Sequence, residues 1–292
     1  MNLNRLASPE IRRARAIAFS VCVAKEYGCA SDSREVAVRE AALDISGLPG
    51  AAAPPELLRV WRRRFNGAVA CEPARATLYQ RFPSLRAIFD SSLWLLLRPE
   101  CRLQCIEEIA GGTRFDGTAL EVFQSRSLPL FCACPNWLML APLLAILRSP
   151  AHERHVQRSW LRKNFAAFCA LMCLRPPGRK LALPLWSAIN ILVEEGMLGD
   201  IDYWPASAES FECVFQGQVR LGECLICQRW ASGWTDDCLV WLWYLGERSY
   251  ISTVSALRLA GDGVSVDKPD DLNMRVRRTL AKMASTIISV PG

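Results

Sequence analysis

Apolar residues along this chain recur at three- and four-residue steps, and the two-residue alternation of a half-buried strand is scarce. Leu58, Trp61 and Phe65 show the spacing: at i, i+3 and i+7 they share one face of a helix over residues 55–66. Arg59, Arg62, Arg63 and Asn66 take the opposite face. Leu85, Ile88, Phe89, Leu93 and Leu96 form a second stripe over residues 84–97, with Arg86 and Asp90 spaced to pair at i, i+4 on its wet side.

Start signals accompany the stripes. Ser8-Pro9-Glu10 gives a capping hydroxyl, a proline at the first helical position and an acid in the first turn, opening a helix over residues 9–27. Ser31-Asp32-Ser33 caps a second helix to residue 43, and residues 45–53 follow as a loop of small residues. Further helices are expected over residues 73–81, from Pro99 to Gly111, near 118–125, from Ser149-Pro150 to 172, and over 183–195. Ser207 and Thr235 cap two more, and Asp270-Asp271 opens a last basic one after a turn at Gly261-Asp262-Gly263. Residues 250–259 fit strand or helix, because their β-branched content and their spacing disagree. The expected fold is all-α: about twelve helices, with an N-terminal basic helical subdomain packed on a larger helical region.

Charge sharpens that division. Residues 1–88 hold 14 basic and 8 acidic side chains, whereas residues 89–292 hold 21 of each, so the whole excess of +6 lies in the N-terminal third. Together with the loop and helix pattern, this predicts a basic domain over residues 1–98 and an apolar, charge-neutral domain over 99–292. Of the 35 basic residues 30 are arginines, whose planar fork suits bidentate contact with phosphate or carboxylate. One-sided positive charge of this kind suggests a nucleic-acid surface.

With about five helices in residues 9–97, the region resembles the five-helix phage-repressor type of helix-turn-helix domain. The order Trp61, Gly67, Pro73 is similar to that family's recognition helix and following turn. The resemblance implies DNA contact through the helix over residues 55–66. Two departures stand against it: the six-residue steps are longer than the family's, and the loop at 45–53 is longer than a tight helix-turn-helix turn. No position is therefore carried over. From the residues themselves, the candidate nucleic-acid-binding side chains are Arg59, Arg62 and Arg63, extended by Arg75 and Tyr79 on the next helix.

Other chemistry is thinly represented. Arg154, Arg158 and Arg162 form a second basic stripe, read as the wet side of an amphipathic helix. His152 and His155 are the only histidines, and no third ligand stands at metal spacing. Cys213, Cys224, Cys227 and Cys238 have a zinc-like number but single, helical outer positions, so neither a metal nor a cofactor is expected. Glu194, Glu195, Asp200 and Asp202 read as a solvated helix end with its loop. No phosphate-cradling glycine loop, HExxH or nucleophile elbow occurs, and the expectation is a protein that is not an enzyme.

Thirteen scattered cysteines argue for free thiols in a reducing cytoplasm. The apolar run at 128–147 is interrupted by Pro129, Pro135 and Pro142, and is expected to be a core helix rather than a membrane span. The sequence thus points to a cytoplasmic nucleic-acid-binding protein, DNA being the favoured form. The alternative is a protein-interaction or scaffold subunit, docking helix on helix through its ten tryptophans or assembling with further copies.

Overall fold

A computed structural model of the chain describes residues 8–29, 33–44, 53–115, 118–119, 137–175, 178–260, 265–285 and 288–289. All but the last residue of the loop expected at 45–53, Ser31 and Asp32 of the expected Ser31-Asp32-Ser33 cap, most of the helix expected near 118–125, the first half of the apolar run at 128–147 and the turn at Gly261-Asp262-Gly263 lie outside the described residues. The fold is all-α. Its chain forms two compact units: residues 1–100 with 176–192 and 292, and residues 101–175 with 193–291. The first unit carries 17 basic and 10 acidic side chains, a net of +7.

In the first unit, α1 (Pro9–Glu26) starts as its sequence predicts: the Ser8 hydroxyl accepts from the Ile11 amide at 3.3 Å. Its inward residues Ile11, Ile17 and Phe19 are at most 2% exposed. Against α1 pack α3 (Pro55–Phe65) and α5 (Ser84–Phe89), and α2 (Ser33–Asp44) packs against α3. The following α4 (Glu72–Arg81) packs on α5. Phe19 sits edge-on to both Tyr79 and Phe89, with ring centroids 6.1 and 5.4 Å away. The unit is completed by a 3₁₀ turn at Gly178–Leu181, which packs on α1, and by most of α10, introduced below.

The single helix expected over 84–97 is instead two, α5 and α6 (Leu93–Leu96). Side chains capture the carbonyls that would have carried the helix on. Arg15 Nε donates to the Phe89 carbonyl at 2.7 Å, and Trp94 Nε1 donates to the Ile88 carbonyl at 2.8 Å. The expected Arg86–Asp90 pair is also replaced, because Asp90 faces the Arg15 guanidinium at 3.5 Å.

In the second unit, α7 (Leu103–Gly112) packs on α8 (Trp137–Arg148), and α8 on α9 (His155–Met172). In chain order α10 (Ala182–Glu194) comes next, most of it in the first unit, and the second unit resumes with α11 (Ala208–Cys227), whose Ser207 cap accepts from the Ser210 amide at 3.2 Å. α12 (Asp236–Leu245) is buried without interruption from Cys238 to Leu245, which is why its sequence shows no polar stripe. It packs on α9, α11, α13 (Ile251–Leu259) and α14 (Asp270–Ser285). Helix is therefore the outcome for residues 251–259. Thr118–Ala119, by contrast, departs from the expected helix: its backbone pairs antiparallel with Arg114–Phe115, which also pairs with Ile288–Ser289. Among the described residues, no helix is long and apolar enough to cross a membrane.

Candidate functional site

Helix α3 divides its faces as its spacing predicts. Trp61 is 0% exposed and Phe65 4%, while Arg59, Arg62 and Arg63 are exposed. Trp61 is fixed by an indole N–H bond to the Glu40 carboxylate, so burial of the ring leaves no polar atom unsatisfied. Among the described residues, Arg59, Arg62 and Arg63 have no ion-pair partner. Arg64, between them and the core, lies over the Trp61 ring at 4.5 Å, and burial lowers its pKa.

Two further cations gather at the C-terminal end of α3. Gly67 follows the helix with φ +102°, and a Cβ there would come within 2.5 Å of Arg13 Cγ. The exposed Arg13 of α1 therefore lies across the turn after Arg62–Arg64. Exposed Lys180, from the 3₁₀ turn at Gly178–Leu181, places its ammonium 4.9 Å from the centroid of Phe65. A helix C-terminus favours positive charge, which helps this group of like charges coexist. Neither residue is marked as a site member by the local sequence. Gly67 is a hint to the first, since a glycine after a helix can signal close approach. Nothing near Lys180 signals its return.

Arg75 and Tyr79 belong to a different feature. They line a cleft of about 510 Å³ on α4 and α5, and none of Arg59, Arg62 and Arg63 contributes to it. Arg75 donates to the Ala70 carbonyl at 2.5 Å and lies over the Phe89 ring at 4.6 Å. Arg15 lies over the same ring at 3.8 Å. Arg86 lies over the Tyr79 ring at 5.4 Å. The Tyr79 hydroxyl is buried beside Arg75 without a hydrogen bond of good geometry, and burial followed by the Asp90 charge raises its pKa. Glu72, Gln80 and Asp90 supply acceptors in the same walls.

The remaining candidates separate from this region. Arg154 pairs with Glu107 and donates to Ser149 Oγ at 2.7 Å. Arg158 donates to the Ser149 and Ala151 carbonyls, both at 2.6 Å, and Arg162 Nε to the Leu198 carbonyl at 3.2 Å. The stripe expected to be a wet helix face is therefore not wet: Arg154 is buried, Arg158 and Arg162 are half-buried, and all three are pinned by protein acceptors. His152 and His155 stack at 5.0 Å on the surface. Cys238 is buried while Cys213 and Cys227 are exposed. Among the described residues, no three His, Cys, Asp or Glu side chains are disposed to hold a metal ion.

Comparison with family models, with curated proteins and with solved structures yields no match for this chain.

Proposed function

We propose that the protein is a non-enzymatic nucleic-acid-binding protein that contacts phosphates through the arginine face of α3. The supporting observation is the state of Arg59, Arg62 and Arg63: exposed, without ion pairs among the described residues, and carried on a helix locked inward by Trp61. Guanidinium groups already committed to carboxylates would have little left for a phosphate. Arg13 and Lys180 widen the same surface, so the contact draws on α1, α3 and the 3₁₀ turn together.

Binding of DNA and RNA across a salt series tests this reading. Log affinity is expected to fall linearly with log salt. Replacing Arg59, Arg62 and Arg63 with Ala is expected to shallow that slope by about one for each phosphate the variant no longer neutralises. Affinity that ignores salt, or a triple variant that binds like the parent, would overturn it.

A second reading, a protein-interaction subunit, has one observation in its favour. On α13 Ile251 is 62% exposed and Leu259 84%, an apolar pair on the surface of the second unit. Nine of the tryptophans do not add to it: Trp61, Trp94, Trp186, Trp230, Trp241 and Trp243 are buried, and Trp160, Trp204 and Trp234 are half-buried.

A further inference from the structure

The cleft on α4 and α5 has chemistry unlike that of the α3 face. A phosphate site concentrates positive charge, whereas Glu72 and Asp90 place two carboxylates in these walls beside Arg75 and Arg86. Arg15 and Asp90 face each other and offset one another, which leaves Glu72 as the carboxylate set against Arg75 and Arg86. A phosphate entering here would meet repulsion as well as attraction. A planar, uncharged group whose edge both donates and accepts would find partners of each kind, with Gln80 offering both from one side chain.

The cleft also supplies a stacking surface. Arg86 is exposed and its guanidinium carbon lies 5.4 Å from the centroid of the Tyr79 ring, so a planar group entering the cleft meets an arginine and an aromatic side chain together, both of which can stack on a base. The volume of about 510 Å³ lies within the range of small-molecule sites. We infer that this cleft takes an unpaired nucleobase, which makes the preferred nucleic acid single-stranded. A base inside a duplex has its faces covered and its pairing edge occupied, and cannot enter. This inference rests on the phosphate-contact reading of α3, and adds a base to its backbone contacts.

The test uses the full chain with labelled single strands of DNA and RNA, matched duplexes, and an abasic strand of equal length, all at one salt concentration. Single strands are expected to bind about tenfold tighter than duplex or abasic strand, the size of one stacked base. Gln80→Ala and Tyr79→Leu are each expected to weaken single-strand binding several-fold while leaving the salt slope unchanged. Tyr79 touches the core through Phe19, so the abasic strand gives the same answer without altering the protein. An abasic strand that binds wild type as tightly as the base-bearing one overturns the inference, while a surviving salt slope keeps the phosphate reading intact. Loss of all salt-dependent binding overturns both. Displacement of the strand by an equal concentration of a nucleoside monophosphate would reassign the cleft to a free nucleotide and overturn the single-strand assignment.

Discussion

At the scale of single residues, burial and backbone conformation dominate. Cys173 is fully buried, and removal from water pushes its thiol from 9.0 up to about 12. Between those values the unfolded chain has lost the proton that the native protein retains. The unfolded state then binds fewer protons, so stability falls as pH rises through that window and is untouched below it. The loss is at most about 1.4 kcal/mol per pH unit. Urea denaturation at about pH 8 and about pH 10.5 should show it, and Cys173→Ala should reduce the difference between the two, Cys22, which burial also pushes up to about 12, supplying a like share. Gly67 is constrained twice, by φ +102° and by Arg13 Cγ, 2.5 Å from where a Cβ would stand. Gly67→Ala is expected to cost at least about 1–2 kcal/mol in urea denaturation and, by displacing Arg13, to weaken salt-dependent nucleic-acid binding. A variant as stable as the parent would show that the turn relaxes freely.

At the scale of elements, legibility followed the range of the interactions. The faces of α3 could be read from Leu58, Trp61 and Phe65 because a helix repeats within four residues, and the Ser8 and Ser207 caps for the same reason. The break between α5 and α6 could not, since it is made by Arg15, whose bond to Phe89 spans 74 residues. The same arginine also took Asp90 from Arg86 and left Arg86 free to lie on Tyr79. Periodicity likewise cannot separate a wet arginine from a pinned one. Arg59 and Arg158 read alike as stripe members, yet Arg158 closes the chain before α9 through two carbonyls. Arg158→Ala is therefore expected to lower stability by about 1–3 kcal/mol while leaving the salt slope of binding unchanged. A shallower slope would place Arg158 at the nucleic-acid surface instead.

At the scale of the whole molecule, the basic unit is not one stretch of chain. Its final pieces, residues 176–192, arrive after some 75 residues spent in the other unit. They bring Leu181 and Ile189, each 0% exposed, together with the 3₁₀ turn that packs on α1. No local pattern announces this, because Leu181 and Ile189 read as core residues whichever unit receives them. The cationic surface inherits the same discontinuity: Arg13, Arg62, Arg63 and Lys180 span most of the chain's first 180 positions, yet Gly67 and Phe65 bring two of them to one helix end. A fragment of residues 1–100 keeps the charge step and the arginines of α3 but lacks the turn that covers part of α1. It is expected to unfold at lower urea concentration and less cooperatively than the first transition of the full chain. Its salt slope should also be shallower by about one, for the missing Lys180. Lys180→Ala in the full chain separates the two effects, since it should reproduce the shallower slope without the loss of cooperativity. A fragment that melts sharply and matches the full chain in both measurements would mean that residues 176–192 neither complete the fold of the basic unit nor contribute to its contact with phosphates.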